Sequence, residues 1–252
     1  MNRSQEKHLL SEPDFIAGFH AIGEERYHHR HPFHTLMHEG ALSRGQMQAW
    51  ALNRYYYQSN IPRKDAALLA RSDDHTFRTA WRKRLVDHDG EGLDSGPGGI
   101  EKWLKLVEAT GLPRVSAVHG DGILPATRYA VDAYIRLVST RSHLEAVASS
   151  LTELFSKRLI ALRMEKLREF YPWLSSGLDY FTGRLTQAHE DAEFALAWVV
   201  KHARTREEQD AAHAALRDKC DILWAMLDAL YYAYVQPGWP PPGAFHPDRS
   251  DL

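Results

Sequence analysis

The sequence predicts an all-α fold, a single-domain helical bundle of about seven principal helices. Apolar residues recur at the three- and four-residue spacing of amphipathic helices, and no stretch alternates between apolar and polar residues as a half-buried strand would. Capping boxes mark helix starts at Ser43, Ser142 and Thr205. Because the chain has no internal repeats and no linker between two cores, we expect one domain over residues 1–252, with residues 1–10 and 236–252 as flexible or wrapping tails.

The first half of the chain contains five predicted helices. Ser11 caps the first, which reaches about residue 25, and Pro32 lies in the first turn of a short second helix. Ser43 opens a central helix through residues 50–70, which we expect to be broken or kinked near Pro62 because proline lacks an N–H. The next two helices are expected from a cap at 73 or 74 to residue 90, and over residues 100–110, with a glycine-rich loop between them.

The second half is predicted to start with irregular chain over residues 112–124, with room for one helical turn. We then expect helices that start at Pro125 and Ser142, one over residues 160–170, a long one over residues 177–203, and a last one from Thr205 to Tyr234. The remaining segment is too rich in proline to continue the last helix.

Composition excludes several classes of partner. The 31 basic and 33 acidic residues balance, so bulk charge indicates neither nucleic acid nor an anionic membrane as a partner. No apolar run approaches the roughly 20 residues of a membrane span, and the N-terminus lacks the apolar segment of a secretory signal. The single cysteine rules out an internal disulfide and fits a reducing compartment, so we expect a cytoplasmic protein.

Fifteen histidines invite a metal hypothesis. Five of them lie within eleven residues, and one pair has the i, i+4 spacing that can bind a divalent ion: His28, His29, His31, His34 and His38. However, the long helices lack the Glu-x-x-His pairs of di-iron bundles, and the His-Glu-x-x-His pattern of zinc proteases is absent. We therefore predict no metal and expect most of these histidines to be polar residues near helix starts.

Nucleophilic catalysis receives little support. Cys220 lies among core positions of the last helix, where a lone cysteine is usually a small buried hydrophobe. The chain also lacks a Gly-x-Ser-x-Gly elbow.

The central helix carries a more informative pattern. Arg54, Gln58 and Asp65 share one side of it, and Tyr57 and Lys64 lie in the adjacent row. Cations and tyrosines recur on later helices, at Arg84, Tyr134, Tyr180, Arg184 and Lys219, and His88 follows Arg84 by one turn. If these faces converge, they form a donor-rich pocket for a ligand with several carboxylates, with an imidazole to move protons. Scattered charge and an amphipathic surface helix are the alternative on these residues alone.

Eight runs of sequence form a recognisable set: RYHHRHPFH, WALNRYYYQSNIPRKDAALLA, RLVDHDG, GGIEKWLKL, ILPATRYAVDAY, SSLTELF, YPW and DKCDILWAMLDA. In sequence, order and spacing they resemble the pyrroloquinoline-quinone synthase family. The similarity covers about residues 14–235.

The resemblance implies a haem-oxygenase-like helical bundle that forms a homodimer and uses neither metal nor haem. The family's substrate is AHQQ, a bicyclic, amino-acid-derived quinone with several carboxylates. The reaction closes the last ring and removes eight electrons, with O2 as co-substrate, H2O2 as a by-product, and pyrroloquinoline quinone (PQQ) as a product that the site can hold.

The resemblance also implies the site residues. The family's substrate-binding positions fall on Tyr27, Arg54, Tyr57, Gln58, Lys64, Arg84, Tyr134, Glu153, Arg163, Lys219 and Asp221, and its catalytic positions on His28, His88, Tyr180 and Arg184. On this hypothesis the arginines at 54, 84 and 163 and Lys64 bind carboxylates or quinone oxygens, and Tyr134 and Lys219 orient the ring system. His88 is the main acid or base, and Tyr180 with Arg184 polarises O2 or peroxide.

One position departs from the family pattern. The family commonly has a histidine two turns after the glutamate of SSLTELF, and this chain has Ile160 there. Either another group such as His28 substitutes, or the O2 step or the substrate differs. Three alternatives stay open: a non-catalytic carrier of a PQQ intermediate, a thiaminase-like hydrolase, and a di-iron oxygenase on the same scaffold.

Overall fold

The computed structural model describes residues 8–92 and 96–248, with the backbone alone at residues 186–190. Within these ranges the chain is helical and contains no strand, so the predicted all-α class is confirmed. The helices are α1 (Glu12–Arg26), α2 (Pro32–His38), α3 (Arg44–Ala70), α4 (His75–Asp89), α5 (Gly99–Ala109), α6 (Arg114–His119), α7 (Pro125–Thr140), α8 (His143–Ala148), α9 (Glu153–Phe170), α10 (Asp179–His202) and α11 (Arg206–Tyr234). Three short 3₁₀ turns cover His28–Arg30, Ser149–Thr152 and Pro172–Gly177.

Most predicted helix starts agree with the structure. The side chains of Ser43, Ser142 and Thr205 form the capping boxes that the sequence predicts. Eight of the described helices have more than ten residues, close to the predicted seven. None of the helices in the described ranges has the length and apolar character of a membrane span.

The structure differs from the predictions at three places. α3 continues through Pro62, so the helix is not broken there, and the proline only removes the hydrogen bond that its N–H would have donated to the carbonyl of Gln58. The segment 112–124, predicted as irregular chain with room for one helical turn, contains the six-residue helix α6. α9 begins at Glu153, seven residues earlier than residue 160, because a 3₁₀ turn links it directly to α8.

The central helix α3 is buried almost all round. It packs against α4, α5 and α7, while α11 packs against α1, α7 and α8, and α9 packs against α10. Sixteen of the 27 residues of α3 are buried, polar ones among them, so α3 is not the amphipathic surface helix of the alternative interpretation. Apolar packing surrounds it on two sides, around Trp50 and Trp103 on one and Phe19 and Trp81 on the other.

Buried polar groups connect α3 to its neighbours. The indole N–H of Trp103 donates to the carbonyl of Ala51 at 2.9 Å. The side-chain oxygen of Asn53 accepts a hydrogen bond from the backbone N–H of Leu124 at 2.9 Å, and the Asn53 amide donates to the carbonyl of Ala49. These bonds fix the rotation of α3 relative to α5 and to the start of α7.

The segment after α11 lies against the loop that precedes α7. The N–H of Phe245 donates to the carbonyl of Gly122 at 2.9 Å, and the hydroxyl of Tyr234 donates to the carbonyl of Phe245. Gly122 has a φ of +74°, and a Cβ there would approach the backbone N of Phe245 to 2.8 Å, so only glycine fits. Residues 1–7 and 249–252 of the predicted tails lie outside the described residues. The single domain over the whole chain stays a prediction.

The hydrogen bond between Asn53 and Leu124 gives a test of this packing. Replacing Asn53 by Ala leaves the buried N–H of Leu124 without a partner, so we expect the free energy of unfolding to fall by about 1–3 kcal/mol. Urea denaturation measures the change. Ser59→Ala on the same helix, which removes only local bonds, to the carbonyl of Tyr56 and from the side chain of Asn60, is the matched control. Equal losses for both variants would contradict the assignment.

Candidate active site

A cavity opens where α3, α9, α10 and α11 meet beneath the segment between α1 and α2. It holds about 630 Å³ of empty space, including its open mouth. Its wall comes from eight helical elements and the residue before the first 3₁₀ turn: Tyr27, His28, Arg54, Tyr57, Gln58, Ile61, His88, Trp103, Thr152, Glu153, Ser156, Leu159, Ile160, Arg163, Tyr180, Phe181, Arg184 and Leu223.

Most residues that the sequence singled out meet at this cavity. Ten of the fifteen line it: Tyr27, His28, Arg54, Tyr57, Gln58, His88, Glu153, Arg163, Tyr180 and Arg184. Four more are buried behind the wall, namely Lys64, Arg84, Tyr134 and Lys219. Asp221 does not join them, against the prediction: its side chain is 56% exposed and forms an ion pair with Arg26. Two residues along a helix correspond to about 200°, so Asp221 faces away from the side of α11 that carries Lys219.

The α3 part of the wall follows directly from helical spacing. Arg54, Tyr57, Gln58 and Ile61 occupy positions i, i+3, i+4 and i+7, which form one face of the helix. The guanidinium of Arg54 lies over the ring of Tyr57 at 4.2 Å. Gln58 and Tyr180 both line the cavity, one from α3 and the other from α10. The face of α3 therefore presents a cation, a phenol and an amide to the cavity.

Behind this face, Asp65 joins α3 to α4. One of its carboxylate oxygens accepts hydrogen bonds from Lys64 at 2.5 Å and from the indole of Trp81 at 2.8 Å, and lies 3.7 Å from Arg84. Burial alone would raise the pKa of Asp65, but Lys64 and Arg84 reverse this and lower it. Asp65 is thus an ionised carboxylate, fully buried and compensated by cations.

Two arginines and two carboxylates alternate in what we call the inner wall, in which Glu153 and Arg184 line the cavity and Arg84 and Asp191 are buried behind them. Glu153 lies 2.9 Å from Arg184 and 3.7 Å from Arg84, and Asp191 lies 3.1 Å from Arg84 and 3.6 Å from Arg184. Although burial would raise it, Arg184 and Arg84 lower the pKa of Glu153 to about 2. For Asp191 burial outweighs the same arginines, and its pKa is raised. The alternation lets two guanidinium groups lie close together despite their mutual repulsion.

Three other basic side chains have no such partner. Among the described residues, no carboxylate forms an ion pair with Arg54, Arg163 or Lys219. The amine of Lys219 donates to the hydroxyl of Tyr57 at 2.8 Å and lies 3.3 Å from the ring centre of Tyr134. Burial, followed by the nearby Arg54, lowers the pKa of Lys219 well below 10.5 and that of Arg163 to about 10. This side of the cavity lacks negative charge.

His88 is held in the orientation of a base. Its Nδ1 lies 2.9 Å from the carbonyl oxygen of Arg84, which can only accept, so Nδ1 carries the hydrogen and Nε2 is the acceptor. Burial and the charge of Arg184 lower the pKa of His88 to about 4. His28, stacked on Tyr27 at 4.3 Å, is likewise buried, and its pKa is lowered well below 6.5. Both imidazoles are neutral near pH 7.

Sequence reasoning missed several residues of the site. Asp191 lies two helical turns after Arg184, a spacing that could have placed both on one face of α10. Asp65 was assigned to the correct face of α3 but not to the site. The missed residues of the wall itself are mostly apolar and carry no signal that separates them from the core: Ile61, Trp103, Thr152, Ser156, Leu159, Phe181 and Leu223.

The histidines of the cluster contact one another and a cation, and the cysteine lies in the core. His28 and His34 approach edge to face at 4.9 Å, and His34 contacts Arg163, a cation. In the described parts of the chain, no three His, Cys, Asp or Glu side chains are grouped as metal ligands. Cys220 is fully buried outside the cavity wall, and burial raises the pKa of its thiol to about 12, unlike that of an activated nucleophile.

Comparison with known proteins reveals close relatives. The family model described as TENA/THI-4/PQQC matches residues 18–229. A pyrroloquinoline-quinone synthase from Granulibacter bethesdensis is 55% identical over 97% of this chain and 96% of the relative. Another from Acidiphilium cryptum is 54% identical over 95% of this chain and 97% of the relative. A bifunctional coenzyme PQQ synthesis protein C/D from Methylorubrum extorquens is 54% identical over 97% of this chain, which spans 66% of that protein.

Solved structures share the fold at low sequence identity. A domain of unknown function with a haem oxygenase-like fold from Shewanella denitrificans has a TM-score of 0.71 at 13% identity, over 95% of this chain and 100% of that one. A TenA homologue from Pseudomonas syringae has a TM-score of 0.69 at 12% identity, over 92% and 100%. These likenesses concern the fold alone, and they confirm the predicted haem-oxygenase-like bundle.

The lowered pKa of Glu153 predicts a pH-dependent loss of stability. Its ionised form stabilises the fold fully above its usual value of 4.5, and this contribution disappears as pH falls toward 2. Glu153→Gln should therefore be less stable than the parent protein near neutral pH, and the difference should shrink between about pH 5 and pH 3. Urea denaturation at several pH values measures it, with Glu169→Gln, exposed on the same helix, as the control. A difference independent of pH would refute the role of the charge.

Proposed function

The chain belongs to the TENA/THI-4/PQQC family, and within it we propose that the protein catalyses the last step of PQQ formation. In this step AHQQ closes its last ring and loses eight electrons to O2, with release of H2O2. The family resemblance of the sequence motifs supports this proposal. Curated pyrroloquinoline-quinone synthases that are 52–55% identical over 95–97% of the chain support it further.

The observation that carries the proposal is the charge balance of the cavity. Arg54, Arg163 and Lys219 come from three different helices and have no carboxylate partner among the described residues. A ligand with several carboxylates supplies the missing negative charges, and the arginines can bind them in bidentate fashion. Lys64 and Arg84 are already paired with buried acids, so in our proposal they support the wall and do not hold the ligand.

The chemistry assigned to the remaining residues is proton transfer and stabilisation of charge. A reduced, quinol-like substrate can pass electrons to O2 directly, and each O2 reduced to H2O2 takes up two electrons and two protons. His88, neutral with a free Nε2, serves as the base that removes protons from the substrate. Tyr180 and Arg184 stabilise the anions that form as O2 is reduced. Tyr134 and Lys219 orient the ring system beside Tyr57.

Three further parts of the proposal rest on the resemblance and the composition. The reaction uses no resident metal or haem, and the protein forms a homodimer. The single cysteine fits a cytoplasmic location.

A carrier of a PQQ intermediate is the second candidate, and Ile160 favours it. This apolar side chain lines the cavity where the family commonly has a histidine, and it can neither donate nor accept a proton. His28 lines the same cavity and is the neutral imidazole available to substitute. A carrier would bind AHQQ and leave it unchanged in air.

Aerobic incubation of metal-chelated protein with AHQQ distinguishes the two. Absorbance follows PQQ, and a peroxide assay follows H2O2, of which no more than four can form per PQQ because eight electrons are removed in pairs. Formation of both products supports the oxidase. Binding without O2 consumption supports the carrier, and Ile160→His then tests whether the imidazole is what is missing. No binding of AHQQ contradicts both.

His88→Ala should separate binding from catalysis. We expect AHQQ to bind with nearly unchanged affinity and product formation to slow by about 100-fold or more, because a base is lost from the cavity. In the parent protein, protonation of His88 should not reduce the rate until the pH approaches its pKa of about 4. Single-turnover absorbance measures the rate, with His75→Ala, exposed on the same helix, as the control. Unchanged turnover of His88→Ala would remove His88 from the mechanism.

A further inference from the structure

His34 is a buried histidine that contacts Arg163 of the cavity wall but does not itself line the cavity. It lies in α2, directly after the turn that carries His28, and is 2% exposed. Its ring contacts Arg163 of α9, one of the basic side chains without a carboxylate partner. Neither the sequence motifs nor the chemistry proposed above assigns a role to it.

Two contacts fix the protonation of His34. Its Nδ1 lies 2.9 Å from the carbonyl oxygen of His28, which can only accept, so Nδ1 carries a hydrogen. The Nη2 of Arg163 lies 3.0 Å from Nε2 and 3.3 Å from Nδ1, and a guanidinium can only donate. The similar distances to both ring nitrogens place this guanidinium nitrogen over the imidazole ring. A second proton, on Nε2, would put an imidazolium against the guanidinium, so Nε2 carries none. Burial and the adjacent Arg163 also lower the pKa of His34 well below 6.5.

A neutral partner has a different effect on an arginine from a charged one. Arg84 and Arg184 are held by carboxylates, which cancel their charge. Arg163 is held by an uncharged ring, so its position is fixed while its charge remains uncompensated. Its Nε is buried and has no hydrogen-bond partner within the described ranges, and its side chain lines the cavity.

We propose that His34 is a positioning residue, which holds Arg163 through contact with an uncharged ring and so keeps the guanidinium charge available for a carboxylate of the ligand. The inference rests on the proposed function for the identity of the ligand. The arrangement itself requires only an anionic carboxylate in the cavity.

Three substitutions at this position separate geometry from charge. His34→Gln keeps an uncharged polar partner for Arg163, His34→Leu removes it, and His34→Glu replaces it with a carboxylate that cancels the charge of Arg163. Anaerobic titration with PQQ as the probe should give affinity within about twofold of the parent for Gln, about tenfold weaker for Leu, and about 100-fold weaker for Glu. Thr35→Glu, exposed on the same helix, adds the same charge away from Arg163 and should leave the affinity unchanged.

The melting temperature separates this role from a purely structural one. If His34 had a purely structural role, PQQ affinity would follow melting temperature across the variants. Our inference predicts instead that the His34→Glu variant binds PQQ most weakly, even where its glutamate stabilises the fold by pairing with Arg163. Parent-like affinity of the Glu variant would overturn the inference. If the His34→Glu variant does not fold, the comparison of His34→Gln with His34→Leu decides. Equal PQQ affinities of these two variants overturn the inference. If the parent itself does not bind PQQ, the proposed function fails, and the same comparison with citrate as the probe still supports or overturns the role of His34.

Discussion

The free energy required to bury charge is the constraint on which this structure depends. A cation removed from water is tolerated only where a counter-charge or several dipoles replace its hydration. The inner wall meets this condition by alternating Arg84 and Arg184 with Glu153 and Asp191. The side with Arg54, Arg163 and Lys219 does not meet this condition. These basic groups contact phenols and an imidazole, and their charges repel one another. The free protein therefore gives up stability at the place where a polyanionic ligand restores it.

A buried polar helix makes this arrangement possible. α3 lies in the middle of the bundle, and three of its buried polar residues have partners on other helices and loops. Asn53 accepts from Leu124, Asp65 accepts from Trp81, and Gln48 donates to the carbonyl of Thr110. These bonds fix the rotation of α3, so the face with Arg54 and Gln58 points into the cavity without relying on flexible loops.

The sequence predicts the helices better than it predicts the buried ion pairs behind the site. Helical periodicity and side-chain caps are local, so most helix starts follow from a few neighbouring residues, whereas the start of α9 depends on a 3₁₀ junction that periodicity does not mark. Residues such as Arg54 and Gln58 could be grouped because they share a helical face. The pairing of Arg84 with Asp191 could not, because it depends on how α4 and α10 pack. The family resemblance predicts Asp221 at the site. In the structure its side chain is exposed and pairs with Arg26, because it lies about 200° around α11 from Lys219.

Because the pKa of Lys219 is lowered, we expect binding of an anion in the cavity to depend on pH. A carboxylate bound near this amine raises its pKa again, so binding takes up a proton wherever the pH lies between the pKa values of the empty and the filled site. Affinity for a polyanion then increases as the pH falls through that interval, and departure of the anion returns the proton to water. A carboxylate beside Lys219 would in this way bind together with a proton, and the charge on this side of the cavity would depend on its occupant.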